Sequence, residues 1–201
     1  LDLLFATAVS QSLGGGVAPI SYTGSFVMAP LAISHGGSKK QKEDYLTKMS
    51  ENSIRFGVGF SEYIGARDGS AIEIKNNKIS GRALFVLDSK DASHLMFADS
   101  SGVIGIVAAD SLGVEIVQLT AVDKTRSYSE VKLDNVDAEV LELTISSNNA
   151  INKSIDGGRI ILAADSIGAS QRLIDKAVEY SKERKQFGRV IGSFQAVKHM
   201  C

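Results

Sequence analysis

Residues 183–195, Glu-Arg-Lys-Gln-Phe-Gly-Arg-Val-Ile-Gly-Ser-Phe-Gln, join the end of an amphipathic pattern to a polar turn that contains glycine. The planar guanidinium of Arg184 suits bidentate hydrogen bonds to phosphate oxygens. Gln186 and Gln195 add neutral donors and acceptors, and Phe187 offers an apolar or stacking face. The stretch therefore predicts a dinucleotide-binding segment. The alternative is a solvated arginine at a helix end with Phe187 packed beneath it.

A long helix is predicted immediately before that stretch. Apolar residues recur with a period of 3.6 along one face and reach about Arg184: Ile160, Ala163, Ala164, Ile167, Ile174, Ala177 and Val178. Residues 146–157 in front of this pattern are polar, and they predict a connector. The last quarter of the chain is therefore expected to be helical.

The middle of the chain changes to short apolar runs. Six of them predict strands: residues 54–56, 71–75, 79–87, 103–108, 114–119 and 128–133. Asn76 and Asn77 lie between two runs and predict a hairpin turn. Because no helical pattern separates the runs, we expect an antiparallel sheet or a small barrel rather than alternating parallel units.

The first fifty residues predict helices. Residues 1–12 favour a helix that the glycine run 14–16 ends. Ser38 and Gln41 stand at capping-box spacing, which predicts a further helix over residues 39–49. The order along the chain is thus helical, β, helical.

The pattern in residues 184–195, Arg-x-x-Phe-Gly, a gap, then Phe-Gln, resembles the C-terminal helical domain of acyl-CoA dehydrogenases. The helical, β, helical order is similar to that family's layout. The resemblance implies an α+β fold: a helical segment, an antiparallel β-barrel-like middle domain and a helical bundle. Residues 1–52 would end the N-terminal helical domain, 53–146 would form the middle β domain, and 147–201 would be the truncated start of the C-terminal domain. Since both ends fall inside periodic segments, we expect a piece of a longer chain.

The resemblance also implies FAD as the cofactor. Phe60-Ser61-Glu62 is similar to the family's flavin-contacting segment, in which Ser61 would donate to the flavin ring. Residues 79–87 resemble the strand Asn-Gly-x-Lys-x-Trp-Ile-Ser/Thr, which puts Phe85 at the flavin-stacking position. The cofactor-binding residues implied are Ser61, Arg67, Phe85, Val86, Leu87, Arg184, Gln186, Phe187 and Gln195. In the family the Arg-x-x-Phe-Gly turn reaches the FAD of a neighbouring subunit, which implies a homo- or heterotetramer.

Three of these positions depart from the family pattern. Arg67 stands where the family has a hydroxyl on the phosphate side, and Phe85 replaces the stacking tryptophan. Leu87 replaces a hydroxyl that hydrogen-bonds the reactive edge of the flavin, and leucine cannot donate. Ordinary strand packing, with Phe85 and Leu87 alternating onto one face, explains these two residues equally well.

Asp156 and Arg159, placed by the pattern at the opening of the long helix, match a position where the family contacts acyl-CoA. A surface arginine is the alternative for Arg159. In the family a glutamate removes the α-proton of the thioester while the β-hydrogen leaves as hydride to flavin N5. In one branch that glutamate lies in this helix, where Gly158 is the matching residue. The other usual location lies beyond Cys201, so the catalytic base is unassigned and expected there.

Composition excludes several classes of function. The net charge of −1 and the lack of a basic stripe argue against nucleic acid or an anionic membrane as partner. Cys201 is the single cysteine, which excludes a disulfide framework and favours a reducing, cytoplasmic setting. The histidines show neither metal-ligand nor triad spacing, so we expect no metal. Residues 13–33 carry glycines and both prolines, which disfavours membrane insertion.

Two functions fit these patterns. The first is an FAD-dependent acyl-CoA dehydrogenase that introduces an α,β double bond into an acyl-CoA, as in the β-oxidation of fatty acid metabolism, and is reoxidised by an electron-transfer flavoprotein. The second is a non-catalytic subunit of a heteromeric acyl-CoA dehydrogenase. Such a subunit would keep Arg184 and Gln195 for a partner's FAD while its own flavin face changed at Arg67, Phe85 and Leu87. A binding module without flavin remains a third possibility.

Overall fold

The computed structural model describes residues 2–65 and 71–201. Its helical elements are α1 (Leu3–Gly16), a π-helical turn (Thr23–Met28), α2 (Ala29–Gly36), α3 (Lys39–Ser50), a 3-10 turn (Glu142–Thr144), α4 (Asn149–Glu183), a second 3-10 turn (Ile191–Ser193) and α5 (Gln195–Lys198). Its strands are β1 (Phe56–Gly59), β2 (Ala71–Lys75), β3 (Lys78–Leu87), β4 (His94–Ala98), β5 (Ile104–Ala108), β6 (Val114–Gln118), β7 (Tyr128–Asp137), β8 (Glu139–Val140), β9 (Lys185–Gln186) and β10 (Arg189–Val190). The succession of helices, strands and helices confirms the predicted α+β fold.

The chain divides into two compact units. The first contains Pro19–Ile160, and the second contains Leu4–Ala18 together with Ile161–Cys201. The sheet and the helices α2 and α3 belong to the first unit. The helix α1, most of α4 and the short terminal elements belong to the second.

The sheet of the first unit is mixed. Within the described residues, its strands follow the order β6-β7-β3-β1-β4-β5-β8, and β2 also pairs with β3. The pair β1–β4 is parallel, with Phe56 opposite His94, whereas the other pairs are antiparallel. The pair β1–β4 departs from the antiparallel prediction because β3 and β4 lie on opposite sides of β1. After β3 the chain passes the end of the sheet where β1 starts. The strand β4 begins there and therefore runs in the same direction as β1.

Two apolar clusters cover the two faces of this sheet. One lies between the sheet and the helices and includes Met96 and Ala98, while the other lies on the opposite face and includes Leu95 and Phe97. Successive β4 side chains therefore enter different clusters, and both faces of the strand are buried. The sequence pattern does not predict β4 because its apolar run is short and lacks the alternation of a half-buried strand.

The helix α1 ends at Gly16, the last residue of the glycine run that was expected to end it, but it includes all three glycines, which the prediction left outside the helix. A Cβ on Gly14 would lie 2.0 Å from the carbonyl oxygen of Asp165, and one on Gly168 would lie 1.9 Å from that of Gln11. The hydroxyl of Ser10 donates to the carbonyl oxygen of Ile161 at 2.8 Å nearby. Glycine is needed here because α1 and α4 approach each other closely, not because the chain turns.

Two local predictions are confirmed. Ser38 and Gln41 form a reciprocal capping box, with the Ser38 amide donating to Gln41 Oε1 at 3.0 Å, and α3 follows it. Asn76 and Asn77 join β2 to β3 with φ values of 51° and 56°. Positive φ at both central positions is the geometry that a tight two-residue hairpin requires.

The connector predicted over residues 146–157 is wrong for most of its length, since α4 begins at Asn149. Ile151, Ser154 and Gly158 are buried on one side of this first part of α4. The hydroxyl of Ser154 donates to the carbonyl oxygen of Met28 at 2.7 Å. Because serine and glycine occupy buried positions, the helical period is invisible to a hydrophobicity pattern. Asp156 and Arg159 consequently lie well inside the helix, not at its opening.

Candidate functional site

The turn at residues 61–65, which we call the Ser61 turn, is fixed to β3 by a long-range hydrogen bond. The backbone amide of Leu84 donates to Ser61 Oγ at 3.1 Å, and Ser61 is only 5% exposed. This bond places the turn beside the C-terminal part of β3. The two segments that the family resemblance assigns to flavin thus meet in one unit. Arg67, assigned to the same site, lies outside the described residues.

A β-bulge in β3 turns Phe85 out of the regular strand. The register with β7 shifts between Ala83 and Val86, and Phe85 has a φ of 55°. Positive φ is rare for an aromatic residue and marks a local constraint on the backbone. The Phe85 side chain is 42% exposed, so its ring can offer a face to another molecule.

The two residues after Phe85 pack against opposite faces of the sheet, Val86 fully buried and Leu87 half-buried. Val86 is fully buried in the apolar cluster on one side of the sheet, and Leu87 packs against the cluster on the other side. Their side chains offer no polar group, so a hydrogen bond from this stretch to a ligand would have to use the backbone. The bulge therefore breaks the simple alternation in which Phe85 and Leu87 share one strand face.

Asp88 is a buried carboxylate that the sequence analysis does not identify. Its Oδ2 accepts from the backbone amides of Gly24 at 2.7 Å and Ser25 at 3.1 Å, which caps the start of the π-helical turn. Burial raises the pKa of the Asp88 carboxyl above its usual value, although these two donors and the charge of Arg126 oppose the rise. The end of β3 is thereby joined to the helical segment at residues 23–36.

The predicted dinucleotide-binding segment forms a hairpin with a two-residue loop in the second unit, which we call the terminal hairpin. Lys185 pairs with Val190 and Gln186 with Arg189, while Phe187 and Gly188 at the tip have φ values of 52° and 77°. The Phe187 side chain is 91% exposed. The alternative in which Phe187 packs beneath a helix end is therefore wrong for this chain.

The base of the hairpin continues the hydrogen bonding of α4. The amide of Arg184 donates to the carbonyl oxygen of Tyr180 at 2.9 Å, and the Arg184 carbonyl accepts from the amide of Ile191 at 2.8 Å. The backbone of Arg184 is thus held from both sides. Its side chain, like those of Gln186 and Gln195, is exposed. These three polar groups are accessible to a ligand or a neighbouring molecule.

Aromatic contacts join the hairpin to the segment that follows it. The guanidinium of Arg189 lies 4.0 Å from the centre of the Phe194 ring, and the rings of Phe187 and Phe194 meet edge to face at 6.2 Å. Arg189 and Phe194 were not assigned to the site from the sequence. The signal for Phe194 was the Phe-Gln pair at the end of the motif.

Asp156 and Arg159, the candidate acyl-CoA contacts, form an exposed ion pair in α4. Asp156 Oδ1 and Arg159 Nη1 are 3.1 Å apart. An exposed pair one turn apart contributes little to stability, in the range of roughly 0–1 kcal/mol. The guanidinium of Arg159 therefore remains available to an anion, and a surface arginine remains the alternative.

The position matching one branch's catalytic glutamate is a glycine that packs against Met28. Gly158 faces the helical segment at residues 23–36, and a Cβ there would lie 2.8 Å from Met28 Sδ. At the preceding Gly157, a Cβ would lie 2.3 Å from Leu31 Cδ1. No larger side chain fits at Gly158 without moving this contact. A carboxylate at this position would require the Met28 side chain to shift.

Over residues 2–65 and 71–201, no group of three or more His, Cys, Asp or Glu side chains is arranged to hold a metal ion. In the same ranges no helix combines the length and the apolar character that crossing a bilayer demands.

Residues 148–201 match the model of the acyl-CoA dehydrogenase C-terminal domain. Over 205 aligned residues the chain is 25% identical to a probable acyl-CoA dehydrogenase, YngJ, of Bacillus subtilis, covering 91% of this chain and 53% of that protein. It is 46% identical over 59 residues to the caffeyl-CoA reductase-Etf complex subunit CarC of Acetobacterium woodii, covering 29% of this chain and 15% of that subunit.

Among solved structures, a steroid acyl-CoA dehydrogenase (the Tcur3481-Tcur3483 G363A variant) superposes with a TM-score of 0.82 and 27% identity. The match covers 98% of this chain and 55% of that one. The chain therefore spans about half the length of the YngJ protein and of this dehydrogenase chain.

Proposed function

This chain belongs to the acyl-CoA dehydrogenase family, as the motif at residues 184–195 predicted, and we propose that it builds part of the flavin site of an FAD-dependent acyl-CoA dehydrogenase. The proposed reaction is the α,β-dehydrogenation of an acyl-CoA thioester in fatty acid β-oxidation. FAD, when bound, supplies the acceptor for the hydride that leaves the β-carbon.

The observation that carries this proposal is the hydrogen bond between the amide of Leu84 and Ser61 Oγ. It brings the Ser61 turn to the bulge that exposes Phe85, so that a hydroxyl and an aromatic ring lie on neighbouring segments. The hydroxyl of Ser61 accepts in this bond and can still donate to a ligand. A polar donor beside an exposed ring suits a heteroaromatic group such as a flavin.

The residues present fit a flavin in most respects. Phe85 supplies the stacking face, and Val86 and Leu87 are proposed to line the flavin beside it. Arg67 is proposed for the phosphate side. Arg184, Gln186, Phe187 and Gln195 are proposed to hold the FAD of a neighbouring subunit, because their side chains are exposed on and after the hairpin. This implies a homo- or heterotetramer.

The substrate end of the site is proposed on α4. Arg159 offers an exposed cation for the phosphates of an acyl-CoA, and Asp156 orients it through their ion pair. Since the matching residue is Gly158, which carries no carboxylate, the residue that removes the α-proton is proposed to lie beyond Cys201. The three-part division at residues 1–52, 53–146 and 147–201 remains part of this proposal.

Partners and setting follow the same assignment. We propose an electron-transfer flavoprotein as the electron acceptor, which is supported by the relative named as a subunit of a caffeyl-CoA reductase-Etf complex. A cytoplasmic location is proposed because the single cysteine suits a reducing compartment.

One observation favours a second function, that of a non-catalytic subunit in a heteromeric acyl-CoA dehydrogenase. Leu87 has no hydrogen-bonding atom in its side chain, so it cannot provide the hydrogen bond that tunes the flavin, and it packs half-buried against the apolar cluster instead. The terminal hairpin meanwhile keeps the whole motif on an exposed turn. A subunit of this kind would complete a partner's FAD site without turning over substrate.

The proposed function is tested by anaerobic titration of the full-length protein with a series of acyl-CoA thioesters, followed by the loss of the visible flavin absorbance. We expect reduction by at least one thioester, and lower flavin content in Ser61→Ala. The matched control is Ser53→Ala, which removes a side-chain bond to the carbonyl oxygen of Lys48 away from the turn. Bound flavin that no thioester reduces would favour the non-catalytic subunit.

A further inference from the structure

The Ser61 turn is held at a second point by Tyr63. The phenol of Tyr63 donates to Asn152 Oδ1 at 2.9 Å and accepts from Asn148 Nδ2 at 3.4 Å. Asn152 lies in the first turn of α4, and Asn148 immediately precedes the helix. One hydroxyl thereby links residues that are more than eighty positions apart in the sequence.

The fold leaves room for this contact at Gly102. This glycine has a φ of 90°, and a Cβ there would lie 3.0 Å from Asn148 Cβ and 3.3 Å from Tyr63 Cε2. It would also lie 3.4 Å from Ile151 Cγ2. The Tyr63 ring, the start of α4 and the loop before β5 therefore converge on one backbone position. A larger residue at position 102 would be strained by its φ and crowded by its neighbours.

The Ser61 turn is consequently fixed between two elements that carry different parts of the proposed site. Ser61 accepts from Leu84 next to Phe85, on the side proposed for flavin. Tyr63 reaches Asn152, one helical turn before Asp156, on the side proposed for acyl-CoA. The backbone bonds inside the turn, from Ile64 to Phe60 and from Gly65 to Glu62, keep the intervening residues compact.

We infer that Tyr63 is a positioning residue that fixes the proposed flavin-side turn relative to the first turns of α4. The inference rests on the proposed function. The Tyr63 hydroxyl bonds to α4 while Ser61 bonds to β3, so the short turn between them is held from both sides.

The test compares Tyr63→Phe with Tyr45→Phe in the full-length protein. Tyr45 also donates a single hydrogen bond, to Glu139 Oε2 at 2.7 Å, but it joins α3 to β8 away from the Ser61 turn. Removing either hydroxyl is expected to lower the unfolding temperature slightly. Only Tyr63→Phe is expected to weaken FAD binding to the apoprotein, by about fivefold, since one net hydrogen bond is lost from the positioning of the turn.

A double-mutant cycle with Asn152→Ala provides a readout that a general loss of stability would not move. We expect the effects of Tyr63→Phe and Asn152→Ala on FAD affinity to be non-additive, because each removes the same contact. Unchanged FAD affinity in Tyr63→Phe, or fully additive effects, would overturn the inference while leaving the proposed function standing. An unmodified protein that binds no FAD would overturn the proposed function itself.

Discussion

The Ser61 turn is proposed to hold this chain's own flavin and the terminal hairpin that of a neighbouring subunit, and the two segments are built in opposite ways. The Ser61 turn is held by contacts to distant segments, from Leu84 on one side and Asn152 on the other. The terminal hairpin is held by its own backbone pairing, and its tip residue Phe187 is exposed. A substitution near the Ser61 turn therefore affects the segments that hold it. The terminal hairpin can keep its conformation when residues in other segments change.

That difference separates the two proposed functions. Departures from the family pattern fall at Phe85 and Leu87, beside the Ser61 turn, while the exposed hairpin keeps Arg184, Phe187 and Gln195. A self-sufficient dehydrogenase needs both regions to bind flavin. A supporting subunit needs only the hairpin. Substitutions that act on one region at a time can tell these cases apart.

The largest effect is expected from Gly158→Glu, which would place a carboxylate at the position used by one branch of the family. Its Cβ would lie 2.8 Å from Met28 Sδ, so we expect a loss of about 3 kcal/mol or more in unfolding free energy and no new base. Urea unfolding measures this loss. Arg159→Glu, at an exposed neighbouring position, is the control and should change stability little. A stable, catalytically active Gly158→Glu protein would show that the flavin-side unit has room for a base there.

The second effect concerns the exposed region alone. Arg184→Ala is expected to weaken FAD retention by about 10- to 100-fold, because a charge-assisted hydrogen bond to a phosphate is lost. Since the side chain is exposed, the unfolding temperature should not move. Gel filtration followed by flavin quantification provides the measurement, with Arg172→Ala on the same helix as control. Equal flavin content in the two variants would remove the hairpin from the site.

Leu87→Thr sharpens the comparison from the buried side by supplying the hydroxyl that the family pattern has. We expect the rate of flavin reduction by acyl-CoA to rise about fivefold, as one hydrogen bond to the flavin edge is gained. Loss of apolar packing should cost about 1 kcal/mol of stability. Leu87→Val matches threonine in shape without the hydroxyl. Stopped-flow reduction rates that are the same for both variants would show that position 87 does not face the flavin.

The smallest effect is a pH dependence at Asp88, which anchors the end of β3. Burial raises the pKa of this carboxyl above its ordinary value of 3.8, so its contribution to stability is fully present below that value and is lost as pH rises through the folded pKa. Asp88→Asn keeps an acceptor oxygen and does not titrate. Relative to the unmodified protein, the variant should gain stability from acid to neutral pH, by up to about 1 kcal/mol. Urea unfolding at several pH values measures this difference. A variant whose unfolding free energy falls relative to the unmodified protein as pH rises would contradict the prediction.

Features encoded by neighbouring residues could be predicted from the sequence. The capping box of Ser38 and Gln41 and the hairpin at Asn76 and Asn77 depend on contacts within four residues, and both form as expected. The α+β class followed from the change of period along the chain. The residue types of the exposed hairpin were identified for the same reason, since the motif is continuous.

Features that depend on distant partners could not be predicted. The glycine run in α1 was expected only to end the helix. Its packing against the backbone of α4 could not be predicted, because that backbone is about 150 residues away. The start of α4 was hidden because Ser154 and Gly158 occupy buried positions there. The bulge at Phe85 needs the register with β7, and the roles of Tyr63 and Asp88 need partners 63 or more residues away.

The most direct test is the visible absorption spectrum of the full-length protein, purified alone and together with a homologous partner subunit, to give the amount of flavin per chain. If the chain is a self-sufficient dehydrogenase, we expect about one FAD per chain in the protein purified alone. Flavin present only with the partner, at about half that amount per chain, would assign the chain to the supporting role. Absence of flavin from both preparations would contradict the proposal that this chain builds part of a flavin site.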